Sequence, residues 1–435
     1  MSPSIRPALV ARSSLAAVLV AAAAGAAAPS ASAVSAFYTP PAALPADNGS
    51  LVRSESMKLG AGVNIPGIAT LPGRATRIMY RSTDSTGQPV AVTGTYIEPS
   101  KKFYGPARPL VAYAAGTQGQ GDECAPSLGL ENPLGFNAGS VNVSYETPTI
   151  YNLLNRGFAV VVTDYVGLGA TDRLHTYVNR VDQGRAVLDA ARAAFKVTGA
   201  SIDSSSPIGL FGYSQGGGAT ASAAELASTY APELNLKAAF AGAPPANLAD
   251  TMRTADGTTL TAVIGFAVNG FVQTYPQLKP ILDANTNNAG KAALKKIAGA
   301  CIGDGAASFA FQKTNQWTTS GVSISTVVAN NPVAKAIVDE QQIGRIKPSI
   351  PVRIITGTKD DIVPHAQAKR LAVDWCALGG VVDYRPVVQY FGTGGTSVNH
   401  LGPMLTESSK SQQWLIDRLN GKPAVSNCAS VKRML

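Results

Sequence analysis

The hydrophobic positions of this chain fall into short, nearly continuous runs separated by longer amphipathic stretches. "PLVAYAAG", "FAVVVTDY", "PIGLFGY", "LKAAFAG", "VRIITG" and "VDYRPVVQYF" have the length and near-continuous hydrophobicity of strands buried on both faces. Ahead of all of them, "ATRIMYRSTDSTGQPVAVTGTYIEPS" alternates about Thr86-Gly87-Gln88, which predicts two strands joined by a turn. Between the runs lie helical patterns: "RVDQGRAVLDAARAAFKV", "GGGATASAAELASTYA", "HAQAKRLAVDWCALG" and "MLTESSKSQQWLIDRLNG". In the first, Val181, Gly184, Leu188, Ala191 and Phe195 share one face at alternating three- and four-residue spacing. Strands alternating with helices at this pitch imply parallel crossovers, hence an α/β fold whose mostly parallel central sheet is flanked by helices.

The rhythm breaks between residues 246 and 348. Helical patches such as "NAGKAALKKIAGAC" and "NNPVAKAIVDEQQ" occur there without a strand-like run. This predicts a helical cap, or lid, inserted between two parts of one core, residues 37–245 and 349–435. The opening 36 residues read as a signal peptide. Arg6 and Arg12 give a basic start, Leu15 to Ala28 are apolar, and Ala31-Ser32-Ala33 or Val34-Ser35-Ala36 offers a small-residue cleavage site. The apolar run falls short of the ~20 residues of a membrane span, so the expectation is an exported, extracellular chain with no transmembrane segment once the leader is gone. The proline-rich arm that follows, "FYTPPAALPADNG", is expected to wrap the surface.

Losing Arg6 and Arg12 with the leader lowers the formal charge from +9 to +7. The remaining lysines and arginines are scattered, with no basic helix or aromatic-interleaved stripe, which argues against nucleic acid. A mild attraction to anionic envelopes or lipid surfaces is what such a balance supports. The four cysteines, Cys124, Cys301, Cys376 and Cys428, are an even set suited to two disulfides in an oxidising compartment, with three pairings open. No C-x-x-C spacing points to a metal.

Candidate chemistry centres on "GYSQG", Gly212 to Gly216. A strand that turns at once into a helix leaves no room beside the turn residue, so the positions two before and two after it must lack side chains. Gly212 and Gly216 meet that need around Ser214, the pattern of a nucleophile elbow. The backbone N–H of Gln215 then points where an oxyanion would form, at the positive end of a helix. A serine hydroxyl needs a base, and the chain has three histidines. His175 precedes the serine and is expected to be structural or to line a pocket. His365 opens a helix just after the acid candidates and is expected at the surface. His400, in the glycine-rich "FGTGGTSVNHLGP" between the last strand-like run and the C-terminal helix, stands where the base of a Ser-acid-His order belongs. In "VRIITGTKDDIVP" the fourth place of G-x-x-D-x-x-V-P is Asp360, the expected acid, with Asp361 as a solvated neighbour or turn acceptor. A second oxyanion donor is expected from "YAAGTQGQGDECAPS", with Thr117 the candidate. This chemistry calls for neither metal nor cofactor.

With "GTQGQGDECAPS", "TDYVGLGATDRLHTYVN", "GRAVLDAARAA", "GYSQGGGA", "GTKDDIVP" and the loop ending "VNHLG", the chain resembles the secretory lipase family across nearly its whole length after the leader. The resemblance implies an α/β-hydrolase fold with a helical cap, and a secreted enzyme cleaving carboxylic esters, often triacylglycerols, through Ser214, His400 and Asp360. It also implies the pairings Cys124 with Cys301 and Cys376 with Cys428. Where the family often carries a glutamate two places after Asp164, this chain has Val166. Asp164 and the nearby Asp172 are therefore expected in structural hydrogen bonds. The apolar cap stretches "TAVIGFAVNGFV" and "VSISTVVANNPVAKAIV" suit an acyl tunnel, contact with a lipid interface or a plain cap core. A short-chain carboxylesterase, a cell-envelope acyltransferase with the same triad, and a binding module without turnover are the other readings.

Overall fold

The computed structural model describes residues 34–60, 72–137 and 140–435. The expected leader lies outside the described residues except for its last three. In chain order the strands are β1 (Leu51–Met57), β2 (Gly73–Thr83), β3 (Pro89–Pro99), β4 (Leu110–Ala114), β5 (Leu134–Asn137) and β6 (Ser140–Val143). They continue with β7 (Ala159–Val166), β8 (Ile208–Tyr213), β9 (Leu236–Gly242), β10 (Val352–Gly357) and β11 (Val382–Val387). Among the described residues one 9-stranded sheet runs in the order β1-β2-β3-β7-β4-β8-β9-β10-β11, and β5 and β6 form a separate hairpin. Pairing is antiparallel from β1 to β7 and parallel from β7 to β11.

The alternating segment forms the expected pair, β2 and β3, in register from Gly73↔Pro99 to Thr83↔Pro89. Its turn is held by the Asp84 carboxylate, which accepts from the backbone N–H of Thr86 and of Gln88, both at 2.9 Å. Strand β1 and the β5–β6 hairpin were not legible as strands, because their runs carry charged or glycine-interrupted patterns.

The helices flanking the sheet are α1 (Pro126–Glu131), α2 (Thr147–Asn155), α3 (Arg180–Ala194) and α4 (Gln215–Tyr230). Those between β9 and β10 are α5 (Leu248–Ala255), α6 (Ala262–Thr274), α7 (Leu278–Asn285), α8 (Asn288–Ala298), α9 (Ile302–Phe309), α10 (Ile324–Asn330) and α11 (Pro332–Glu340). Last come α12 (His365–Ala377) and α13 (Val398–Leu419). Two faces of β8 divide them. Gly212 turns toward α4, whereas Leu415 of α13 packs over Gly209, as the two-residue period of a strand requires. Helices α3 and α4 approach closely because Gly184 leaves room for Ser222 and Ala223.

Seven helices thus separate β9 from β10, although the two strands are hydrogen-bonded neighbours. They gather their own apolar cluster around Phe266, Ile297 and Trp317, which reaches Tyr177, Ile362 and Val363 of the sheet-bearing part. The disulfide Cys124–Cys301 ties the chain segment after β4 to the start of α9, and Cys376–Cys428 ties α12 to the C-terminal segment. The N-terminal arm keeps to the surface over residues 39–48, as expected, but its first two residues do not. Phe37 and Tyr38 are buried, in a cluster with Met79 and the Cys124–Cys301 pair, and the Tyr38 hydroxyl lies 2.7 Å from Ser127 Oγ. Two adjacent buried aromatics carry a large apolar surface out of water, so the arm is pinned there.

Glu225, fully buried on α4, gathers several segments. It pairs with Arg180 at 3.1 Å and accepts from the backbone N–H of Gly344 at 2.7 Å and the Trp375 indole at 2.9 Å. Removing one partner of a buried pair leaves the others uncompensated, at about 3–5 kcal/mol. Glu225→Ala is accordingly expected to lose about that much unfolding free energy in urea titrations, and Glu225→Gln less. A loss within 1 kcal/mol for the alanine variant would contradict this role.

Candidate active site

Strand β8 ends at Tyr213 and α4 begins at Gln215, so Ser214 alone makes the turn. Its backbone stands at φ 59° and ψ −121°, a conformation that costs a non-glycine residue of order 1–3 kcal/mol and persists only where surroundings enforce it. They do. Ser214 N–H donates to the Gly242 carbonyl at 2.9 Å, and Gly218 N–H donates to the Ser214 carbonyl at 3.0 Å. A Cβ on Gly212 would strike the Gly216 carbonyl, one on Gly216 the Ala114 carbonyl, and one on Gly217 the Gly242 carbonyl. The glycines on both sides of the serine are thus the condition for helix and sheet to meet this closely.

His400 Nε2 lies 2.9 Å from Ser214 Oγ, and its Nδ1 lies 2.8 and 3.0 Å from the two carboxylate oxygens of Asp360. A carboxylate only accepts, so Nδ1 carries the proton and Nε2 is left to accept from the serine hydroxyl. Asp360 is fixed by the N–H groups of Ile362 at 3.0 Å and Val363 at 2.8 Å. Its side chain and that of His400 are almost wholly buried. Asp361 does not touch the imidazole. It accepts from the backbone N–H of Ser397 at 3.0 Å and of His400 at 3.1 Å, and so caps the helix that carries the histidine. Here the structure departs from the expected loop. Helix α13 begins at Val398, takes His400 into its first turn and runs through Pro403. Asp361 supplies, from another loop, the acceptor for N–H groups that a helix start leaves unpaired. The Tyr213 hydroxyl adds a bond to the His400 carbonyl at 2.7 Å.

Gln215, as the first residue of α4, has a backbone N–H without an intrahelical acceptor. Its side-chain amide donates to His175 Nε2 at 3.0 Å, and His175 Nδ1 donates to the Val166 carbonyl at 2.9 Å. Burial lowers the His175 pKa from 6.5 to about 4, so this ring is neutral near pH 7. Thr117 borders the same cavity as Ser214, its hydroxyl 2.7 Å from the Tyr177 hydroxyl and its carbonyl accepting from Tyr145 at 3.1 Å. Behind it the buried Glu146 accepts from Gly116 N–H at 2.7 Å and from the Tyr113 hydroxyl at 3.0 Å. Burial raises its pKa from 4.5 to about 7. Nothing in the sequence marked Glu146, Tyr145 or Tyr177, whose roles arise only where remote segments meet.

Asp164 is buried and accepts from Ser127 N–H at 2.8 Å and Ser127 O–H at 2.6 Å, while Asp172 pairs with Arg173 at 3.3 Å. His365, expected at the surface, is half-buried at the first turn of α12 with Nε2 3.1 Å from the Tyr384 hydroxyl. Burial lowers its pKa below 6.5. Among the described residues the grouping Glu123, Cys124 and Cys301 is close enough to hold a metal, but both sulfurs are in the disulfide and offer no thiolate.

Thr117, Ser214, Gln215 and His400 all border one cavity of about 1150 Å³. Its walls include apolar side chains of the inserted helices, among them Leu248, Val263, Phe271, Ile281, Val328 and Val338. Phe311 and Leu405, also on its lining, are 58% and 63% exposed, so the cavity opens to solvent beside them.

A family model described as secretory lipase matches residues 132–427. Lipase 4 of Candida albicans is 29% identical over 369 residues, 82% of this chain and 75% of that protein. A Mycobacterium tuberculosis protein named as a probable inactive lipase is 28% identical over 388 residues, 89% of this chain and 82% of that protein. Among solved structures, Candida antarctica lipase A in its closed state superposes with a TM-score of 0.75 at 23% identity, covering 90% of this chain and 87% of that one. A rice cell wall degrading esterase of Xanthomonas oryzae, in a ligand-bound form, gives 0.69 at 18%, covering 86% and 100%. The fold is that of the α/β hydrolases.

The buried carboxyl of Glu146 makes stability depend on pH. Because its folded pKa is raised from 4.5 to about 7, the native state holds a proton that the unfolded chain has lost between those values. The contribution is full below pH 4.5 and disappears as pH rises through about 7. Glu146→Gln, which needs no proton, is expected to gain in melting temperature relative to the parent across that window. A difference that stays flat from pH 4.5 to 7.5 would contradict the assignment.

Proposed function

Because the chain belongs to the secretory lipase family, we propose that it is a secreted serine hydrolase that cleaves long-chain acyl esters, triacylglycerols among them, through Ser214, His400 and Asp360. One observation carries this reading: Ser214, His400 and Asp360 form a continuous hydrogen-bonded line whose serine and histidine border a large, mostly apolar cavity.

In this reading the acyl chain lies along the apolar walls and the ester carbonyl rests against Ser214. His400 Nε2 takes the hydroxyl proton as Oγ attacks, and Asp360 stabilises the imidazolium through Nδ1. The backbone N–H groups of Gln215 and Thr117 receive the developing oxyanion, each worth about 2.7–4 kcal/mol of transition-state stabilisation. Collapse expels the alcohol with the proton from His400. Water, deprotonated by the same imidazole, then releases the fatty acid and restores Ser214. The strained turn at Ser214 serves this by holding Oγ clear of the helix.

The two disulfides and the leader-like start support export to an oxidising compartment. Residues 246–348 act as the cap that supplies the acyl wall.

A panel of p-nitrophenyl esters from acetate to stearate, together with an emulsified triacylglycerol, tests the reading. Ser214→Ala is expected to lower kcat by about 10⁶-fold and Asp360→Asn by about 10⁴-fold, with Asp361→Asn losing much less because it holds only backbone N–H groups, those of Ser397 and His400. Turnover surviving in Ser214→Ala would overturn the mechanism. Activity confined to acetate and butyrate would reduce the assignment to a short-chain esterase.

A further inference from the structure

The proposed oxyanion donors come from different parts of the sheet. Thr117 follows β4 and Gln215 follows β8, and the separation of their N–H groups must hold within a fraction of an ångström for both to reach one oxygen. One short segment touches both. His175 accepts the Gln215 side-chain amide at 3.0 Å, and two residues on the Tyr177 hydroxyl lies 2.7 Å from the Thr117 hydroxyl.

The segment is itself held from several directions. The Val166 carbonyl accepts from His175 Nδ1 at 2.9 Å. A carbonyl can only accept, so the proton sits on Nδ1 and Nε2 faces Gln215 as an acceptor. Gln120 donates its amide to the His175 carbonyl at 3.2 Å and to the Phe266 carbonyl of α6 at 2.9 Å. Gly270 of α6 lies so close to the backbone of residues 175–177 that a side chain there would crowd it. The His175 ring is 1% exposed, stacked on Tyr165 at 5.9 Å and edge-on to Tyr177 at 5.8 Å. Such a ring has little freedom to move.

We propose that His175 is a positioning residue for the oxyanion hole: through the Gln215 side chain it fixes the peptide unit whose N–H stabilises the tetrahedral intermediate. This rests on the triad reading above. His175 exchanges no proton with substrate. It acts by removing the rotational freedom of the residue next to the nucleophile, in a position the inserted helices also brace.

The test is a double-mutant cycle with His175→Phe and Gln215→Met, which remove acceptor and donor at similar volume, assayed on p-nitrophenyl decanoate. Each single variant is expected to lower kcat about 10-fold with KM changed less than twofold. The rate of inactivation by a p-nitrophenyl phosphonate, which leaves a tetrahedral anion on Ser214, should fall in step. The double variant should be no slower than the slower single one, because both substitutions break the same bond. Should His175→Phe fail to fold, Gln215→Met decides alone. A kcat within twofold of the parent in Gln215→Met, or multiplying losses in the double variant, would overturn the proposal. Retained turnover in Ser214→Ala would instead defeat the triad reading beneath it.

Discussion

The contact on which this molecule depends is the near-collision of α4 with the sheet. Backbone carbonyls of Ala114, Gly216 and Gly242 occupy the space where side chains of Gly216, Gly212 and Gly217 would stand. That approach forces Ser214 into its positive-φ turn, lifts its hydroxyl to the cavity and sets the first N–H groups of α4 beside it. A methyl group at any of the three glycines would push helix from strand and dissolve the geometry. The small residues along α4 continue the theme, since its neighbours β4, β8, β9 and α3 leave little space.

Around that point the site is assembled by buried polar groups that reach across the fold. Asp361 caps the helix of His400, Tyr213 holds its carbonyl, and Glu146 holds Gly116 beside Thr117. The segment after β4 is also stitched to the inserted helices. Ile302 N–H donates to the Gln118 carbonyl at 2.7 Å, Gln120 N–H to the Ala300 carbonyl at 3.0 Å, and the Cys124–Cys301 disulfide closes the same seam. Each buried polar atom is costly unless paired. The pairings therefore fix loops that regular secondary structure does not reach, and they bind the insertion to the segment bearing Thr117.

The histidines show how environment divides one residue type among tasks. His400 lies between a carboxylate and a hydroxyl, with partners on both nitrogens. His175 has a carbonyl on one nitrogen and an amide donor on the other, and desolvation leaves it neutral. His365 rests half-buried against Tyr384. A carboxylate partner is found at His400 alone among the three, and that asymmetry suits it to carry a proton.

Much of this was written locally in the sequence. The nearly continuous apolar runs determined β4 and β7–β11, because a strand buried over most of both faces needs no polar alternation. The glycines about Ser214 determined the elbow, because only hydrogen fits there. The scarcity of histidine narrowed the proposed base to His400. Tertiary structure decided what depends on distant neighbours. It drew His400 into α13 through Asp361, buried Phe37 and Tyr38 of the arm against Met79, and selected one cysteine pairing from three by bringing sulfurs together. It also gave Glu146, Tyr177 and His175 their partners. Local propensity and spacing record only what a residue does to its own neighbours in sequence, whereas a buried hydrogen bond is defined by the group that folding carries to its other end.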